Sequence, residues 1–243
     1  MTFRHPLAAY GPVAEKLLNI GPFERPGDGS TPNNTSYDEQ FQQIHGASYR
    51  HLLDLGTDPK SIVIAGDSAG GGLTLSTLLA LRDDGDPLPA GAVLISPFTD
   101  FSMGGNSRFD NARFDPMLSP EGIKEMNALY LDDTAQHHPL VSPVYGDYHD
   151  LPPILAQVGS TEILLDDTRR VGERACEHGV DFEVEVWEQV PHVWHVWPFL
   201  PETKAAVARI GEFVRQRTTA TTPAVKARRR TAQRKARESS QAS

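Results

Sequence analysis

Four short strand patterns alternate with helical ones along this chain, and that alternation limits its fold more than any other feature. The strands are Ser61–Ala65 (SIVIA), Ala90–Phe98 (AGAVLISPF), Pro152–Ser160 (PPILAQVGS) and Val180–Glu188 (VDFEVEVWE). Helical patterns run over Phe41–Leu55, Ala69–Gly85, Ser119–Leu131, Leu165–Gly179 and Pro201–Arg217, the last opened by a proline in its first turn. Strands that return at βα spacing pair in parallel, and a parallel sheet must be covered on its faces. The expected class is therefore α/β, a mostly parallel sheet with helices on both faces.

With 243 residues and 39% hydrophobic content the chain suits one such domain, predicted over 41–217. Residues 1–40 are expected to be irregular, because 21–40 (GPFERPGDGSTPNNTSYDEQ) is rich in Gly, Pro, Asn, Ser and Thr without a period. Residues 218–243 carry seven Lys/Arg against the single acid Glu238 and almost no large apolar side chain, and read as a basic, disordered tail. Since the whole chain is at −9 and the tail at +6, the remainder is near −15. Such an acidic body argues against a nucleic-acid-binding surface, and leaves the tail as the place for any weak contact with an anionic partner. The lone cysteine, Cys176, permits no internal disulfide and no cysteine metal cluster, and is expected to pack in its helix rather than act as a thiol. The N-terminus lacks the basic start and apolar run of a secretion signal, so the expectation is a soluble, cytoplasmic protein.

The first strand runs into Gly66-Asp67-Ser68-Ala69-Gly70, a G-x-S-x-G turn that opens the next helix. This is the form of a nucleophile elbow: the serine sits in a strained turn with its hydroxyl exposed, and glycines two before and two after avoid a collision. At a helix N-terminus Ser68 also meets free N–H groups, so the Ala69 N–H, helped by Gly70, is a candidate oxyanion donor. A serine hydroxyl is a weak nucleophile and needs a base, and the base needs an orienting acid. The loop after the third strand offers Glu162, Asp166 and Asp167, of which Glu162 lies nearest the strand end and the two aspartates read as first-turn acids of the next helix. Asp166 is kept as the alternative acid. The loop after the last strand offers His192, set by Pro191, and His195 among Val and Trp residues. The H-x-x-H spacing could suggest a metal, but no third ligand type clusters nearby in the sequence. No metal and no organic cofactor are implied.

Together DPKSIVIAGDSAGG, LISPFTDFS, DPMLSPEGI, LPPILAQVGSTEILLDD and PHVWHVW resemble the hormone-sensitive lipase family of α/β hydrolases, in particular its bacterial carboxylesterases, over about Phe41–Arg217. The resemblance implies an α/β-hydrolase-type sheet, a Ser68–His192–Glu162 triad acting on a small-molecule ester, and short acyl substrates. The family usually has aspartate where this chain has Glu162, and a second aspartate matching Asp166. It also carries a His-Gly-Gly-Gly oxyanion loop well before the elbow, together with the first strands of the sheet. Here IHGAS at 44–48 contains only His-Gly, inside a predicted helix and 23 residues before Ser68. The fold is therefore expected to be N-terminally incomplete, with an exposed sheet edge beside the elbow strand. Phe98, Phe101, Met103, Phe109, Phe114 and Met117 are candidates for an apolar acyl pocket or for ordinary packing. The functional expectation is a serine carboxylesterase, with a catalytically silent fragment or binding module as its alternative and amide hydrolysis as a third.

Overall fold

The strand patterns become a single parallel sheet whose strands lie in the order of the chain. A computed structural model describes residues 17–19, 37–130 and 136–218. It places β1 (Leu17–Asn19), α1 (Tyr37–Asp54), β2 (Val63–Asp67), α2 (Ala69–Asp83), β3 (Gly91–Ile95), α3 (Ser107–Asp110) and α4 (Pro120–Tyr130). These are followed by β4 (Ile154–Gly159), α5 (Leu165–Glu177), β5 (Phe182–Trp187) and α6 (Pro201–Thr218). Every neighbouring pair is parallel and the spatial order is β1-β2-β3-β4-β5.

That order dictates where the helices go. Crossovers between parallel strands are right-handed, so a run of them stepping in one direction leaves its helices on one face of the sheet. On this face Ile64, Ala92, Leu94, Ile154 and Ala156 meet Tyr49 of α1, Leu75 and Leu78 of α2, and Val171 and Ala175 of α5. The alternate strand positions Val63, Ala65, Val93, Ile95 and Leu155 point the other way, where α6 covers them with Ile210, Phe213 and Val214. Burial of those three α6 side chains is worth roughly 1.5–3 kcal/mol each. Helices thus cover both faces, as expected. No helix among the described residues is long and apolar enough to cross a membrane.

Three features depart from the sequence reading. Leu17–Asn19, within the stretch expected to be irregular, pair in parallel with Val63–Ala65, so the edge of the elbow strand is covered along three residues. The following helix starts at Tyr37 rather than Phe41. Cys176 is exposed, because the buried face of α5 is set by Val171, Gly172 and Ala175 and the next position turns to solvent. The expected loop over 21–36 and the expected tail, apart from Thr218 at the end of α6, fall outside the described residues.

Candidate active site

Four polar side chains gather at the carboxyl ends of β2, β3, β4 and β5, where open α/β sheets place their ligands. Ser68 follows β2, Ser96 follows β3, Glu162 lies just beyond β4 and His192 lies in the loop after β5.

Ser68 stands between strand and helix with φ 53° and ψ −121°, a left-handed backbone that costs a non-glycine residue roughly 1–3 kcal/mol. The surroundings enforce it. The Ser68 N–H donates to the Ile95 carbonyl at 2.8 Å, and the Ser68 carbonyl accepts from the N–H groups of Gly71 at 3.0 Å and Phe98 at 2.9 Å. Gly66 is required on one side, since a Cβ there would lie 2.1 Å from the Gly70 carbonyl oxygen. Gly72 is required on the other, where a Cβ would lie 2.1 Å from the Phe98 carbonyl oxygen. The exposed Ala69 opens α2, so its N–H has no intrahelical acceptor.

A continuous hydrogen-bond chain leads away from Ser68. Glu162 is fully buried and, as a carboxylate, can only accept. His192 Nδ1 lies 2.8 Å from Glu162 Oε2 and therefore carries the proton, which leaves Nε2 as the acceptor for the Ser68 hydroxyl at 2.9 Å. The other carboxylate oxygen, Oε1, accepts from the Gly159 N–H at 2.6 Å and the Ser96 hydroxyl at 2.8 Å. The backbone around Glu162 is clamped from the α3 region. Asn111 Nδ2 donates to the carbonyls of Ser160 at 3.1 Å and Glu162 at 2.9 Å, and Asp115 accepts from the Ile163 N–H at 3.0 Å.

The other candidates are engaged elsewhere. Asp166 accepts from the Ser107 N–H and its own N–H donates to the Ser107 hydroxyl, each at 2.9 Å. Asp167 is fully buried against an equally buried Arg108 at 2.7 Å, and accepts from the N–H groups of Thr99 and Asp100. His195 lies on the far side of the same loop, in a short helical turn over Trp194–Val196. Its Nε2 is 2.8 Å from Gln157 Oε1, while the Gln157 amide nitrogen donates to Glu185 and to the Ala206 carbonyl. Nε2 is thus the protonated nitrogen, and Nδ1 is buried with no hydrogen-bond partner among the described residues. Burial lowers the His195 pKa from 6.5 to about 3.

Of the predicted apolar residues, Phe101, Met103 and Phe109 line a cleft of about 560 Å³ with Pro120, Lys124 and Ala128. Phe98 is instead buried with Ile123, Ile163 and Leu164, whereas Phe114 and Met117 are 52% and 49% exposed and do not line it. Among the described residues Asp147, His149 and His178 form one group with metal-ligand spacing. Two features oppose a shared ion. His178 Nδ1 already accepts the Tyr148 N–H at 2.8 Å, and the two imidazoles stack at 4.3 Å and 15°, so their planes do not converge on one point.

A family model described as the α/β hydrolase fold matches residues 31–196. The chain belongs to the α/β-hydrolase family. Within that family its likeness is to the bacterial hormone-sensitive-lipase type. It is 43% identical over 173 residues to an acetyl-hydrolase of Streptomyces hygroscopicus, a match covering 71% of this chain and 58% of the relative. An esterase of Acinetobacter venetianus is 38% identical over 167 residues, with 68% and 55% covered. Among solved structures, an esterase from the bacterial hormone-sensitive lipase family superposes with a TM-score of 0.69 at 49% identity, covering 71% of this chain and 58% of that one. An esterase/lipase from an uncultured bacterium gives 0.70 at 43%, with 74% and 60% covered. This α/β-hydrolase chain therefore spans between half and two thirds of the length of these relatives.

Proposed function

We propose that this chain is a serine carboxylic-ester hydrolase working through Ser68, His192 and Glu162. The observation that carries the reading is the unbroken hydrogen-bond chain from the Ser68 hydroxyl through both imidazole nitrogens to a buried carboxylate. Ser68 Oγ attacks the ester carbonyl carbon while its proton passes to His192 Nε2. The imidazolium is held by Glu162 Oε2 through the Nδ1 proton, and the Ala69 N–H, with Gly70 beside it, faces the developing oxyanion. Collapse of the tetrahedral intermediate breaks the bond to the alcohol oxygen, which leaves with the Nε2 proton, and Ser68 remains acylated. Water then repeats the sequence with His192 as base, releasing the acid and restoring the hydroxyl.

The acyl group is assigned to the cleft lined by Phe101, Met103 and Phe109, and the preference for short to medium acyl chains is taken from the family resemblance. The acetyl-hydrolase relative supports the short end of that range. Purified protein should hydrolyse p-nitrophenyl acetate and butyrate, and Ser68→Ala, shown by circular dichroism to be folded, should not. Equal rates in the two proteins would overturn the assignment.

One observation favours a second reading, a catalytically silent binding module. His45-Gly46 lies inside α1, so the described residues supply no His-Gly-Gly-Gly loop as a further oxyanion donor. Loss of one donor costs roughly 10²–10³ in turnover. Under this second reading wild-type protein binds short esters without turnover above Ser68→Ala.

A further inference from the structure

We propose that Ser96 is a positioning residue that locks the acid and the base of the site into one unit. The inference rests on the triad assigned above and deepens it.

Ser96 is the first residue after β3 and is fully buried, with its own N–H donating to the Gln157 carbonyl of β4 at 2.7 Å. Its hydroxyl stands between two loops distant in sequence. The Val193 N–H, immediately after His192, lies 3.1 Å from Ser96 Oγ and can only donate to it. The hydroxyl proton is therefore free for Glu162 Oε1 at 2.8 Å, which can only accept. One hydroxyl thereby ties the carboxylate that holds the imidazole to the backbone that carries it.

The arrangement divides the carboxylate by role. Oε1 is fixed to the sheet by Ser96 and Gly159, and Oε2 is left for His192 Nδ1. With two anchors on Oε1 the carboxylate is held with Oε2 toward the imidazole, whereas with Gly159 as the one remaining anchor on Oε1 its plane is freer to turn. Val193 has φ 51°, a left-handed backbone in a β-branched residue, so the loop needs its N–H held if His192 is to stay aimed at Ser68. Ser96 itself has φ 46°. Few residues tolerate that backbone, and serine is the smallest that also brings a hydroxyl donor and acceptor.

The test compares wild type with Ser96→Gly, which suits the left-handed backbone, and Ser96→Ala. Neither replacement has a hydroxyl. Two readouts are taken: the far-downfield proton resonance of His192 Nδ1–H, and p-nitrophenyl butyrate kinetics across pH. In both variants kcat should fall about tenfold or more, with KM little changed. The acid limb of the rate profile should move to lower pH, because a carboxylate free to turn away from Nδ1 stabilises the imidazolium less. The Nδ1–H resonance should broaden and exchange faster. Folded variants with an unchanged resonance and an unchanged pH profile would overturn the proposal, even if their melting temperatures fell. The resonance does not depend on turnover. Wild-type protein no faster than Ser68→Ala would therefore sink the ester-hydrolase reading, while the Ser96 variants still decide whether the lock exists.

Discussion

At the scale of single residues, this site separates groups that look equivalent in sequence. Glu162 and Asp166 both follow β4, and His192 and His195 share one loop. What distinguishes them is a set of partners on other elements. Glu162 reaches His192, whereas Asp166 is closed into a reciprocal pair with Ser107. Replacing Glu162 by Gln should lower kcat for p-nitrophenyl butyrate by roughly 10³-fold or more, since the amide can support the wrong imidazole tautomer. Asp166→Asn should keep most of the activity, and steady-state kinetics on the folded variants distinguishes the two acids. The order of the candidate acids and bases along the chain was legible in sequence. Ser96 was not, because a serine at the end of an apolar strand gives no local sign of contacts 66 and 97 residues away. Arg108 was missed for the same reason, its buried pairing with Asp167 being set entirely by tertiary contact.

At the scale of elements, strand ends and loop approaches set the geometry. β2, β3 and β4 were legible because strands buried on both faces of a parallel sheet are short apolar runs, and α2 because a Gly-rich turn opens it. β1 was not, since three residues in Gly- and Pro-rich surroundings carry no period. The close approach of β4 to the histidine loop was equally hidden. A Cβ at Gly159 would lie 2.2 Å from the Val190 carbonyl oxygen, and the Gly159 N–H donates to Glu162. Gly159→Ala should therefore push the loop away from the sheet and damage stability and turnover together. A loss of about 1–3 kcal/mol in urea unfolding is expected, with a clear fall in kcat in the fraction that remains folded. A fully active and stable variant would show that the two loops move independently.

At the scale of the whole molecule, the buried His195 couples stability to pH. Its folded-state pKa is depressed to about 3 by burial, while its unfolded value is 6.5. Between those values the unfolded chain binds a proton at this position that the native chain does not, so the contribution falls as pH drops from about 6.5 toward about 3. The stability advantage of wild type over His195→Gln should shrink by roughly 2 kcal/mol between pH 7 and pH 5. Urea titrations at the two pH values check this, and a constant difference would mean that His195 accepts a proton in the native fold.

The central claim is that Ser68 is a nucleophile activated by His192, and covalent labelling tests it most directly. A fluorophosphonate should add one equivalent to the folded protein, and peptide mass mapping should place the adduct on Ser68. The rate should collapse in His192→Ala and be little changed in Asp166→Asn. An adduct on another residue, or equal labelling of Ser68 in wild type and His192→Ala, would contradict the account.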